Sequence, residues 1–209
     1  MSNLYVYGVL PESDLELAVE GVAGADRVYT VDYRSLSAVV SDIDTTDPER
    51  TDEAVTRHNE VLQTVLEDDG GRTVVPMQFG MAFKDARTLK GVLRGARRAF
   101  RKTLDEIDGT VELGLKLVAD ADAAVDGEAV RASVADRLED IVVEASEDDR
   151  FSDRLVLNRS YLVDRGDRPA FDDAVDEIEA AHEGVTVQYT GPWPPYNFVD
   201  IRIGAEGQR

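Results

Sequence analysis

Gly191-Pro192-Trp193-Pro194-Pro195-Tyr196, which carries the chain's only tryptophan, joins two runs of alternating apolar and polar residues: Val185-Thr186-Val187-Gln188-Tyr189 before it and Phe198-Val199-Asp200-Ile201-Arg202-Ile203 after it. Three prolines hold φ at about −65° and push the residues before them toward extended backbone, so Trp193 and Tyr196 stand on a stiff corner. The flanking alternation predicts a hairpin or a bent strand pair closed by this aromatic loop. Two readings of the loop stand side by side. Trp193 and Tyr196 anchor a partner, as rigid aromatics do at interfaces, or Trp193 folds back onto its own domain.

Working toward the N-terminus, periodicity divides the chain into elements. Residues 4–9 predict a buried strand, 11–19 a short helix with Leu15, Ala18 and Val19 apolar, and 27–32 with 36–41 a hairpin. Thr46 or Asp47 is the predicted cap of a helix with Pro48 at its first position and an apolar stripe of Ala54, Val55, His58, Val61, Leu62 and Val65. Gly70-Gly71 ends it, 73–75 is a strand, and 76–83 continues the sheet irregularly across a proline. The order β-α-β-β-α-β is the ferredoxin-like arrangement, with helices on one face of an antiparallel sheet and the other face polar or covered by something else.

Asp85 caps a long helix with Leu89, Val92, Leu93, Ala96, Ala99, Phe100, Leu104 and Ile107 on a wide apolar face, expected to bridge two halves of the chain. Residues 110–118 alternate as a half-buried strand, and 119–127 are poor in apolar residues. Val130, Val134, Leu138, Ile141 and Val142 stripe a helix that frays into Glu147-Asp148-Asp149. A strand at 154–163 and a last helix, begun by Asp167 and Pro169 and stopped at Gly184, complete a second half read as β-α-β-α-β-β, with a frayed tail at 204–209. The expected fold is α+β in two subdomains: a ferredoxin-like domain at 1–108 that includes the bridging helix 85–107, and an α+β domain at 109–209 with an antiparallel or mixed sheet, the Gly191–Tyr196 loop and a short flexible tail.

Several stretches together resemble the gas vesicle protein GvpF/GvpL family, its haloarchaeal F-like members in particular. Tyr189-Thr190-Gly191-Pro192-Trp193-Pro194-Pro195-Tyr196-Asn197-Phe198-Val199 looks like the family's C-terminal signature, and Tyr5-Val6-Tyr7-Gly8-Val9 like its opening strand. Val75-Pro76-Met77-Gln78-Phe79-Gly80 resembles its central segment, and Val156-Leu157-Asn158-Arg159-Ser160-Tyr161-Leu162-Val163 a later strand. His58-Asn59 falls on a helix where the family has a similar pair. The matches run in order from residue 5 to residue 203. The resemblance implies an accessory protein of gas vesicle formation that binds the small, very hydrophobic major shell protein and other accessory proteins. The alternatives are a minor structural component kept in the vesicle wall and, on fold analogy alone, a small-ligand-binding module.

Composition narrows the possibilities independently. The 209 residues include 26 Asp and 17 Glu against 19 Arg and 4 Lys, a formal charge of −20. Self-repulsion of that size requires screening, which predicts a halophilic, archaeal source with a salt-rich cytoplasm. At molar salt the Debye length is about 3 Å, so the charge does not steer distant partners, and it disfavours nucleic acid, whose binding rests on Lys and Arg and falls with salt. The absence of cysteine excludes disulfides and thiolate chemistry and fits a reducing cytoplasm. No leader and no apolar run of bilayer length is read, so a cytoplasmic protein without a lipid-membrane partner is expected, and the resemblance implies that it is associated with the gas vesicle.

Reaction centres are not legible. No GxSxG, P-loop or GxGxxG pattern occurs, and neither His58, on an apolar helix stripe and so read as a core residue, nor His182 has metal-ligand spacing. No catalytic residue, metal or cofactor is therefore expected. One charge pattern runs against the rest. Lys90, Arg94, Arg97, Arg98 and Arg101 recur every three or four residues along the helix after Asp85, reading either as a docking stripe for an acidic partner or as a face paired within the protein or simply solvated. The candidate partner-binding residues are this stripe together with Pro192, Trp193, Pro194, Pro195, Tyr196 and Phe198.

Overall fold

A computed structural model describes residues 2–149, 152 and 154–201. The chain divides between Asp108 and Gly109 into two units, the second ending at Phe198, with the residues from Val199 grouping with the first.

In the first unit, β1 (Asn3–Pro11), β2 (Glu16–Leu17), β3 (Val28–Tyr33) and β4 (Leu36–Ile43) precede α1 (Asp52–Glu67), and β5 (Val75–Pro76) and β6 (Ala82–Phe83) precede α2 (Ala86–Glu106). The sheet runs β2-β3-β4-β1-β5, with β6 also on β1, and its pairings are antiparallel. The helix expected at 11–19 does not form. Leu15 instead exchanges hydrogen bonds with Thr30, its N–H donating to Oγ1 (3.2 Å) and its carbonyl accepting from the Thr30 N–H (3.1 Å). A nine-residue helix is below the length that sustains itself, so pairing with β3 wins. The β3-β4-β1-β5 order is still that of the ferredoxin-like arrangement, with a short strand in place of its first helix.

The two helices cover opposite faces of this sheet, where one helical face was expected. Leu4, Val6, Leu36, Ala38 and Val40 pack with Leu89, Leu93, Phe100 and Leu104 of α2, joined by Val199 and Ile201. The intervening residues Tyr5 and Tyr7 turn the other way to meet α1. This explains why β1 is buried on both sides from Leu4 to Leu10. Each fully buried Leu or Phe contributes about 1.5–3 kcal/mol. α1 starts at Asp52, later than the Thr46-Asp47-Pro48 cue, because Thr51 is the residue whose hydroxyl accepts the Ala54 N–H (3.1 Å), with Asp52 and Glu53 favourably placed in the first turn.

The second unit contains β7 (Thr110–Ala119), α3 (Gly127–Leu138), β8 (Val142–Glu147), β9 (Leu155–Asp164), α4 (Arg168–Ala181) and β10 (Val185–Trp193). Its sheet, ordered β10-β7-β9-β8, is wholly antiparallel. The complete β-α-β-β-α-β sequence is thus realised here. Val142, expected to continue the preceding helix, instead begins an edge strand, since β9 offers an open ladder and Val142-Val143 is β-branched. Of the strand expected at 198–203, the described residues 198–201 form no part. Residues Tyr196–Phe198 form a single 3-10 turn, Val199 to Ile201 are not strand, and Arg202 and Ile203 lie outside the described residues.

Candidate functional site

α3 and α4 cover one face of the second sheet. Phe171 of α4 is fully buried there, its ring centroid 5.6 Å from that of Tyr161 and 5.7 Å from that of Tyr189. The residues in the opposite phase of the strands, Glu112, Gly114 and Lys116 of β7, Asn158 and Ser160 of β9, and Gln188 and Thr190 of β10, line a cavity of about 200 Å³ that also touches Asp148 and Trp193. Among the described residues no helix of this unit covers that face; the proline corner lies on it.

Glu112 is the pin. It is 5% exposed, and its Oε2 accepts the backbone N–H of Asn197 (2.9 Å) while Oε1 accepts from Asn197 Nδ2 (2.7 Å). Nδ2 also donates to Ser160 Oγ (2.8 Å), whose hydroxyl donates to Asp148 Oδ2 (3.1 Å). Burial pushes the Glu112 carboxyl above its ordinary range, opposed by the hydrogen bonds from Asn197 and reinforced by the charge of Asp148. A buried carboxylate is tolerated because these donors satisfy it, and the same bonds fix the end of the corner to the centre of the sheet.

The start of the corner is set by Gly191. Its φ of 111° suits glycine, and a Cβ there would stand 2.8 Å from the Glu112 carbonyl oxygen. The Gly191–Pro192 peptide is cis, and the β10–β7 register slips between Thr190 and Trp193, leaving Trp193 opposite Glu112. Pro194 and Pro195 are buried, Pro192, Trp193 and Phe198 half-buried, and Tyr196 is 36% exposed. The Trp193 backbone is part of the sheet, and the residue borders the cavity.

The basic stripe lies on α2, in the first unit, so the two sets of candidate residues occupy different units. Asp85 caps this helix by accepting the Thr88 N–H (2.7 Å). Lys90, Arg94, Arg98 and Arg101 are exposed and Arg97 is half-buried; Ala99, expected on the apolar face, is exposed, since it lies to the side of the stripe formed by Leu89, Leu93, Phe100 and Leu104. Among the described residues none of the five makes an ion pair; the one ion pair of α2 joins Lys102 to Glu106 (2.9 Å). Pairing of the stripe within the protein does not occur there.

His58 of α1 is a core residue, as its place on the apolar stripe implies. Its Nε2–H donates to the Met77 carbonyl (3.1 Å), so Nδ1 accepts from the Tyr5 hydroxyl (2.8 Å) and the ring is neutral. Burial lowers its pKa to about 4. Among the described residues no group of His, Asp and Glu is placed to hold a metal ion, and no helix is long and apolar enough to cross a membrane.

Glu112 and Asn197 are the site residues that sequence reasoning missed. Glu112 occupies a polar phase of an alternating strand, where a buried acid looks the same as a solvated one. Asn197 stands inside the quoted C-terminal string, and its place right after the proline corner was the available signal.

Among the described residues, two antiparallel sheets, four α-helices and a proline corner pinned to a sheet face define a two-unit α+β protein. Comparison with known proteins agrees. The family described as "Gas vesicle synthesis protein GvpL/GvpF" matches residues 3–129 and 124–200. Gas vesicle protein F1 of Halobacterium salinarum is 64% identical over 207 residues, 99% of this chain and 97% of that protein. Gas vesicle protein F of Haloferax mediterranei is 64% identical over 208 residues, 99% and 98% of the two. The crystal structure of GvpF from an Anabaena species has a TM-score of 0.85 at 18% identity, covering 97% of this chain and 100% of that one, and so shows the shared fold. The chain belongs to the GvpL/GvpF family and is GvpF-like within it. Its role accordingly lies in gas vesicle formation, and its acid-rich composition matches the halobacterial origin of these relatives.

Proposed function

We propose that the chain is a non-catalytic assembly factor that binds the hydrophobic major shell protein, and other accessory proteins, through the aromatic corner on the open sheet face of its second unit. The observation that carries this reading is the pinning of the corner. Glu112, Asn197 and Ser160 hold the segment ending in Tyr196 in place, so Trp193 and Tyr196 present apolar surface without the entropy cost of ordering a loop at binding. A shell subunit that excludes water in the finished wall must hide apolar surface beforehand, and apolar contact persists at salt concentrations that screen exposed ion pairs.

Capture of purified shell protein at matched molar salt tests the proposal. Trp193→Ala should weaken capture at least tenfold, the usual effect of truncating an interface aromatic, with the circular dichroism spectrum unchanged. Full capture by the folded variant would end this reading. Recovery of the chain in washed vesicles would support instead a component retained in the wall.

A further inference from the structure

α2 carries a second surface. Along its outward side Gly91, Gly95 and Ala99 recur at intervals of four, forming a low track beside the ridge of Lys90, Arg94, Arg98 and Arg101. A Cβ built on Gly91 or on Gly95 meets nothing within 4 Å, so neither glycine is required by packing inside the protein. Glycine lowers helix stability, which makes two of them mid-helix a cost without an internal return. The ridge is equally unaccounted for: in a chain of charge −20, its four basic side chains make no ion pair among the described residues.

We infer that this face docks an acidic amphipathic helix of another protein. The inference deepens the proposed function, resting on the reading of the chain as a factor that works by contact, and names the chemistry of a second partner site. Charge complementarity selects an acidic occupant, since the ridge is the local exception to the sign of the whole molecule. The track selects a helix: side chains of a neighbouring helix fit a groove floored by glycine and alanine, and close approach shields the flanking ion pairs from salt that would weaken them at a looser interface. A second copy of the chain is disfavoured because it brings another net −20.

The probe is a synthetic peptide of about 20 residues built from Glu, Ala and Leu as an amphipathic helix. It should shift the amide resonances of Gly91 and Gly95 in the full chain, whereas a version with Lys for Glu and a version broken by two central prolines should not. Arg94→Glu, Arg98→Glu and Arg101→Glu together should weaken binding at least tenfold. Gly91→Leu with Gly95→Leu, which favours the helix and so keeps the fold, should do the same by filling the track. Unmoved glycine amides, equal binding of the basic or proline-broken peptide, affinity within twofold in either variant, or a self-associated chain that dissociates on charge reversal would each overturn the inference. Because Trp193 is untouched in these variants, shell capture measured in parallel separates this failure from failure of the aromatic corner.

Discussion

The two sheets share a strand order and differ in what covers them. In the first unit α1 and α2 take one face each, and the polar groups enclosed beneath α1 are neutral: the His58 ring, the tyrosine hydroxyls and Ser41 hydrogen-bond among themselves and to the backbone. In the second, α3 and α4 share a single face, and the other is left to the proline corner and a buried acid. A sheet roofed on both sides has its partners already. One whose second face is covered by a pinned, aromatic-bearing segment retains surface for another molecule, which is why the candidate site falls in the second unit although the first has the larger sheet.

Truncation in the doubly covered core should produce the largest effect. Phe100 of α2 is fully buried against the first sheet, and Phe100→Ala should cost about 4 kcal/mol in denaturant unfolding monitored at high salt. A loss under about 1 kcal/mol would show that α2 is not the roof of that sheet.

The acid responses of the two units should have opposite sign. The folded pKa of His58 lies below its unfolded value, so the unfolded chain binds the extra proton between pH 6.5 and about 4, and stability contributed at neutral pH falls as pH drops through that window. The full effect is about 3 kcal/mol, complete just below pH 4. The carboxyl of Glu112 is shifted upward, so its contribution is present below the ordinary carboxylate range and is lost as pH rises through the folded value. NMR titration of the His58 ring and of the Glu112 carboxyl checks both signs. An imidazole titrating near 6.5 would mean that water reaches it.

A smaller and more local effect is expected from Asn197→Ala, which removes the Nδ2 donor from Glu112 Oε1 and Ser160 Oγ and leaves the backbone N–H on Oε2. It should cost about 2 kcal/mol, raise the Glu112 pKa further and speed amide exchange in the corner while α3 and α4 stay protected. Unchanged exchange would show that the prolines alone hold the corner and would remove the contrast drawn between the two sheets.

Legibility followed the range of the interactions involved. α2 was readable to its cap, because a 21-residue helix with an Asp at its start and apolar residues on one side is specified by its own sequence. The segments that were misread, 11–19 and 142–147, are short. Whether such a segment coils or pairs depends on the presence of an open strand edge, and β3 and β9 supply those edges from residues well away in the chain. Trp193 and Tyr196 were visible as unusual residues, and their support was not.

From the amino-acid order alone came the two-part α+β organisation, the stripe on α2, the family resemblance and the acidic character, all carried by local periodicity, composition or contiguous strings. Tertiary structure decided which faces of the sheets are covered, that Glu112 is buried, and that Asn197 ties the corner down across 85 positions of chain. Burial and hydrogen-bond partnership are properties of where distant segments meet, and a one-dimensional pattern does not contain them until the chain has folded.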